Sequence, residues 1–239
     1  CCGAVVTSAT LTALGNFGRF QMRAGTPNDA RYNVVPSPFD FGAAGVLSVP
    51  SGAAEGNRAA EHTESIINIL PDLLNKTEGS LALFSSRRQM MEVFEGLPGS
   101  WRDLILVQGD RSKQALLDQH KQRIDDGKGS VLFGLASFAE GVDLPGKYCS
   151  HVVIAKIPFA VPDDPVEAAL AEWIEARGGN SFMEISVPDA AVKLVQACGR
   201  LLRTESDTGT VSLLDRRIVT KRYGTAILNS LPPFRREIA

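Results

Sequence analysis

Cysteine is scarce, and what there is makes no metal frame. The four are Cys1, Cys2, Cys149 and Cys198; none forms a C-x-x-C pair, and no histidine stands at ligand spacing from them. That argues against a zinc or iron–sulfur site within the chain and fits a reducing, cytoplasmic compartment. His62, His120 and His151 are scattered and define no site. No apolar run approaches the roughly 18 residues of a membrane span, and no basic segment followed by an apolar one reads as a secretion signal. Charge of one sign is not in excess either: the formal net charge is −2. A free-standing duplex reader is usually basic, so the balance disfavours sequence-specific duplex binding while leaving room for a shallow single-strand contact. The chain opens on Cys1 rather than Met, inside an apolar run, and is expected to be an excerpt of a longer protein.

What is present suffices for a core, since 44% of the residues are hydrophobic. From residue 80 onward short apolar runs alternate with helical patterns. Strands are expected over 81–84, 104–107, 131–133, 151–155 and 209–214, with earlier ones over 3–6 and 46–50. Continuous apolar runs of this length suit strands buried on both faces of a parallel sheet. Helices are expected over 58–76, 89–94, 113–124 and 165–177, the last with Pro165 in its first turn. The reading is an α/β domain over 1–239 with an irregular Gly- and Pro-rich stretch at 25–60. Trp173 is expected in the core.

The most informative stretch is Val195-Gln196-Ala197-Cys198-Gly199-Arg200-Leu201-Leu202-Arg203. On a helical wheel with Gln196 at zero, Arg200 falls near about 40°, Arg203 near about −20° and Gly199 near about −60°. Leu194, Cys198 and Leu201 fall opposite. One helix, expected to run to about residue 204 with Asp189 as its cap, would carry an amide, two guanidiniums and a gap on one face. Neither arginine has an acid at helical spacing within that helix, as an ordinary solvated face would provide. Two planar forks on a rigid face suit a polyphosphate; ion pairs to a neighbouring loop would explain them equally.

A second stretch, Ser137-Phe138-Ala139-Glu140-Gly141-Val142-Asp143, follows a buried strand. Gly141 permits close backbone approach, and Asp143 can accept from a ribose hydroxyl or an arginine. The run from Gly141 to Lys147 mimics a phosphate-binding loop, but Tyr148 stands where a magnesium-ligating hydroxyl is required and Pro145 removes an N–H. Ser85-Ser86-Arg87-Arg88 opens a helix just past a strand, as a phosphate cradle or a plain cap would. Gln108-Gly109 ends the next strand. Asp215, after 209–214, is read either as orienting Arg200 or Arg203 or as a helix cap.

Gln196-x-x-Gly199-Arg200-x-x-Arg203 resembles motif VI of superfamily 2 helicases. Thr7-Ser8-Ala9-Thr10-Leu11 resembles their motif III, Ser85-Ser86-Arg87 motif IV and Glu140-Gly-x-Asp143 motif V, in family order. The similarity is to the DinG/XPD branch, on its bacterial DinG-like side, and covers nearly the whole chain. It implies a RecA-like, P-loop NTPase-type three-layer sandwich, with a mostly parallel sheet and helices on both faces. It implies the second, C-terminal motor domain of an ATP-dependent DNA helicase, moving 5′→3′ on single-stranded DNA, with a role in DNA repair. In that family Arg200 and Arg203 would be the arginine fingers, with Gln196, Gly199, Gly141 and Asp143 beside the nucleotide. Ser85, Ser86, Arg87, Gln108, Ser137 and Phe138 would contact single-stranded DNA.

The chain contains no complete Walker A or Walker B box. In the family these lie in the first RecA-like domain, which would hold most of ATP and Mg²⁺ and be this domain's partner. Alone, the chain is expected to be inactive as an ATPase. An iron–sulfur cluster is left open for the parent protein, not for this chain, and no metal site is expected here. A rival reading is a nucleic-acid or protein docking module with a vestigial motor. A third, a small-molecule α/β enzyme, lacks a general base in the sequence.

Overall fold

The apolar runs pair side by side. The computed structural model describes residues 3–160 and 164–239; Cys1 and Cys2 lie outside the described residues. Seven strands form one sheet: β1 (Gly45–Val49), β2 (Gly79–Phe84), β3 (Ile105–Val107), β4 (Ser130–Leu135), β5 (His151–Ile154), β6 (Gly209–Leu213) and β7 (Arg235–Ile238). Their order is β3-β4-β2-β5-β6-β1-β7, and every neighbouring pair is parallel.

Both faces of the sheet are dry over β2 to β5, which explains the uninterrupted apolar runs there. Leu81, Leu83, Leu132, Val152, Ile154, Val211 and Leu213 point into one core, against the helices Lys113–Asp125, Val187–Cys198 and Arg222–Ser230. Ala82, Phe84, Val131, Phe133 and Val153 point into the other, against Ala59–Leu73 and Arg87–Gly96. The layering is helix, sheet, helix. No helix among the described residues is long and apolar enough to cross a membrane.

All three histidines are buried and join elements. His62 Nε2 meets the Leu214 carbonyl at 2.8 Å while its Nδ1 meets Gln89 Nε2 at 2.9 Å. His120 Nε2 meets the Tyr148 carbonyl and His151 Nε2 the Ser212 hydroxyl, each at 2.8 Å. Burial lowers the pKa of each, that of His151 to about 4.

Several expectations are corrected. No strand forms at residues 3–6, where Val5 is 94% exposed. β7 was not anticipated because Arg235-Arg236-Glu237 is charged, yet charge suits a sheet edge exposed along its length. Trp173 is exposed, its ring stacked under Arg177 at 4.0 Å; Ile174 takes the core position instead. Asp189 does not cap its helix, which is preceded by a π-turn over Phe182–Ser186; its carboxylate instead receives Arg19.

Candidate functional site

The helix carrying Gln196 ends at Cys198, earlier than periodicity suggests. Gly199 is its C-cap, and single-turn bonds from Arg200 N–H to Ala197 and from Leu201 N–H to Cys198 follow. Asp207 then folds the chain back, accepting the N–H groups of Arg203 and Thr204 at 2.7 and 2.9 Å and the Thr204 hydroxyl at 2.6 Å. Burial works against ionisation of this carboxyl, but those hydrogen bonds prevail and hold it below the usual range.

The wheel therefore fails as geometry, but the two arginines still converge. Arg200 Nη1 donates to the Val142 carbonyl at 3.2 Å and Arg203 Nη2 to the same oxygen at 2.8 Å. Glycine at 141 is required there by a left-handed φ of 69°. Asp143, 76% exposed at its side chain, lies 3.7 Å from Arg203 Nε, beyond hydrogen-bonding distance. The Nε atoms of both arginines are buried without a hydrogen-bond partner. Burial and the charge of Arg203 lower the pKa of Arg200, against the opposing pull of Glu140 and Asp143.

Gln196 Nε2 donates to Thr10 Oγ1 at 3.1 Å, bringing the Ser-Ala-Thr stretch to the same place. Gly199 meets nothing beyond its own helix: a Cβ there would touch only the Val195 and Gln196 carbonyls at ordinary distance. An open cavity of about 790 Å³ results, with Thr10, Gly141, Gln196, Gly199, Arg200 and Arg203 in its wall together with Val35 to Phe39. Two cations aimed at one neutral oxygen, with spare N–H groups beside an open space, fit an oligophosphate. Among the described residues no cluster of three or more His, Cys, Asp or Glu could hold a metal.

The remaining candidates gather elsewhere, at the carboxyl edge of the sheet. Ser86 caps the Arg87–Gly96 helix, accepting Gln89 N–H at 3.3 Å, while Ser85, Ser86 and Arg87 stay exposed. Arg87 lies over Gly109, where a Cβ would come within 2.7 Å of its Nη1. Gln108 Oε1 accepts Leu135 N–H at 2.7 Å, tying two strand ends together, and Ser137 is exposed just beyond. Phe138 is a correction: it is 3% exposed and packs in the core, its ring over the gap that Gly134 leaves. Asp215 is another. Fully buried, it accepts Gly56 and Ile157 N–H groups at 3.1 Å and grips Arg217 through contacts of 2.6 and 2.9 Å, with no link to Arg200 or Arg203.

Two residues at this edge escaped the sequence reading. Lys156 and Phe159 join Ser85, Ser86 and Arg88 around a cavity of about 1030 Å³. Their position just past β5, at the carboxyl end of a parallel strand, was the available signal. Lys113 was also missed; it donates to the Glu140 carbonyl and lies over the Phe138 ring at 5.4 Å, so it braces the turn leading to Val142.

Residues 70–234 match the family described as Helicase C-terminal domain. The chain is 46% identical over 243 residues to the ATP-dependent DNA helicase DinG of Photobacterium profundum, covering 99% of this chain and 35% of that protein. The DinG helicase of Salmonella typhimurium is 37% identical over 236 residues, covering 96% and 33%. The chain thus spans about a third of the length of these curated relatives. Among solved structures, S. tokodaii Xpd4 superposes with a TM-score of 0.62 at 17% identity, over 89% of this chain and 41% of that one. That likeness carries the fold, a RecA-like sandwich.

Proposed function

The chain belongs to the helicase C-terminal domain family, on its DinG/XPD branch, and from that premise we propose that it is the second motor domain of an ATP-dependent DNA helicase. The observation that carries the reading is the convergence of Arg200 and Arg203 on the Val142 carbonyl beside an open cavity. Both guanidiniums are held in place by one weak neutral acceptor and keep donors unspent. A first RecA-like domain, bringing ATP and Mg²⁺ on its own phosphate cradle, would present the terminal phosphates to them. Arg200 and Arg203 would then stabilise charge developing in phosphoryl transfer. Gln196, Gly199, Gly141 and Asp143 would line the nucleotide's far side.

Single-stranded DNA would run along the carboxyl edge of the sheet, over Ser85, Ser86, Arg87, Gln108 and Ser137, with 5′→3′ movement. The stretch from Leu135 to Asp143 spans both regions: one end is tied to Gln108, the other to the arginines. A short segment fixed at both ends is a physical route for nucleotide state to alter strand grip.

In the intact protein, Arg200→Ala should lower ATP turnover by about 10³- to 10⁵-fold, the range known for arginine fingers. Wild-type turnover in that variant would reject the assignment.

A further inference from the structure

Residues 3–25 form a strap, ending in the short helix Gly18–Ala24, that is tied to the helix Val187–Cys198 at Thr10 and Arg19. Among the described residues, its hydrogen bonds to the rest of the domain come from two places only. Near one end of that helix Arg19 Nε and Nη2 each donate to Asp189 at 2.8 Å, and Nη2 also donates to Glu167 at 2.6 Å. Near the other end Gln196 donates to Thr10. Asp189 and Gln196 are about two turns apart, roughly 10 Å along the axis. Between the two ties Ala13 is buried and Leu14 packs on the core; before Thr10 the strap is exposed.

The two ties differ in strength. Arg19 is 6% exposed and bidentate to one carboxylate while bonded to a second, the strongest kind of side-chain contact. The Thr10 tie is one exposed neutral hydrogen bond. The firmer anchor is at Arg19, where Arg23 adds an ion pair to the same Glu167 at 3.4 Å, and the packing of Ala13 and Leu14 carries that anchor toward Thr10. Thr10 and Ala9 form part of the wall of the cavity that also holds Gln196, Arg200 and Arg203.

We propose that Arg19, gripping Asp189 and Glu167, is a positioning residue that sets Thr10 against Gln196 and so fixes the wall of the arginine-lined cavity. The inference rests on the function proposed above for that cavity.

The test measures ATP hydrolysis by the intact protein, with a thymidine oligonucleotide as the DNA probe, in Asp189→Asn, Arg19→Met, Thr10→Val and the pairs combining each clamp change with Thr10→Val. Asp189→Asn keeps the side chain's shape and leaves Arg19 its bond to Glu167, so this variant still tests the role if Arg19→Met fails to fold. A wall displaced by a fraction of an ångström should lower kcat roughly ten- to a hundredfold with KM for ATP within about twofold. The double variant Asp189→Asn/Thr10→Val should fall no further than its worse parent, since both changes break one chain of contacts. Exchanging the charges, Arg19→Asp with Asp189→Arg, should recover part of kcat. Additive losses, or a fall in melting temperature with kcat unchanged, would overturn the positioning role. Arg200→Ala is measured alongside. If it collapses turnover while the clamp variants keep theirs, this inference alone is lost; if it turns over like wild type, both readings fail.

Discussion

Arg217 and Arg200 are both partly buried guanidiniums, and their surroundings are opposites. Arg217 faces a fully buried carboxylate that also accepts three backbone N–H groups, of Gly56, Ile157 and Arg217 itself. Burial lowers its pKa, but the hydrogen bond and charge of Asp215 prevail and leave it raised. Arg200 has one carbonyl, shared with a second arginine, and its pKa ends lowered. The first arrangement is saturated and closes a seam between β6 and the loop holding Gly56. The second is unsaturated and faces open space. A half-buried arginine is structural or available according to whether its donors are already spent, and sequence alone does not show which.

Three measurements sharpen that contrast. Asp215→Ala strands the Arg217 charge in the core and leaves three backbone donors unpaired, so it should cost about 3–5 kcal/mol in denaturant unfolding. A loss below about 1 kcal/mol would mean that the seam is less closed than its geometry indicates.

Acid should come next. His151 titrates near 4 when folded and near 6.5 when unfolded. Between those values the unfolded chain binds the extra proton, so stability rises with pH across the window and falls as pH drops through it. The loss at about pH 4 is about 3 kcal/mol from this residue, and His62 and His120 act in the same direction. Melting temperature followed from pH 7 to pH 4 in the wild type and in His151→Gln should show the shallower slope in the variant.

The smallest effect belongs to the open arginine. Arg200→Ala should change unfolding free energy by no more than about 0.5 kcal/mol, because it removes one weak bond and a poorly solvated charge. A large destabilisation would place Arg200 with Arg217 among the structural residues.

Much of the sheet was legible because strands buried on both faces leave unbroken apolar runs: 81–84, 131–133 and 151–155 became β2, β4 and β5 nearly as read. Less legible was whatever depends on direction. Phe138 sits in a stretch of exposed candidates, yet the turn after β4 sends its ring back over Gly134. Asp215 was placed at the right edge of the sheet but not with its partner, since the neighbouring Arg217 competes for it across a tight turn. Arg200 and Arg203 were expected to share a face because they share a helix. They meet instead because Asp207 bends the chain after the helix stops, an interaction that helical periodicity does not encode.

The place of β1 has a consequence for assembly. Gly45 pairs with Gly209 and Val46 with Arg235, so this strand lies between two elements more than 160 residues further along the chain. Its backbone groups have no ladder partner on either side until residues 209 and 235 have been made. Contacts so distant along the chain close late and slow the search for the native state. A polypeptide cut before residue 209 would keep β2 to β5 as a paired block and leave residues 45–49 as an orphaned edge, open to any strand that came near.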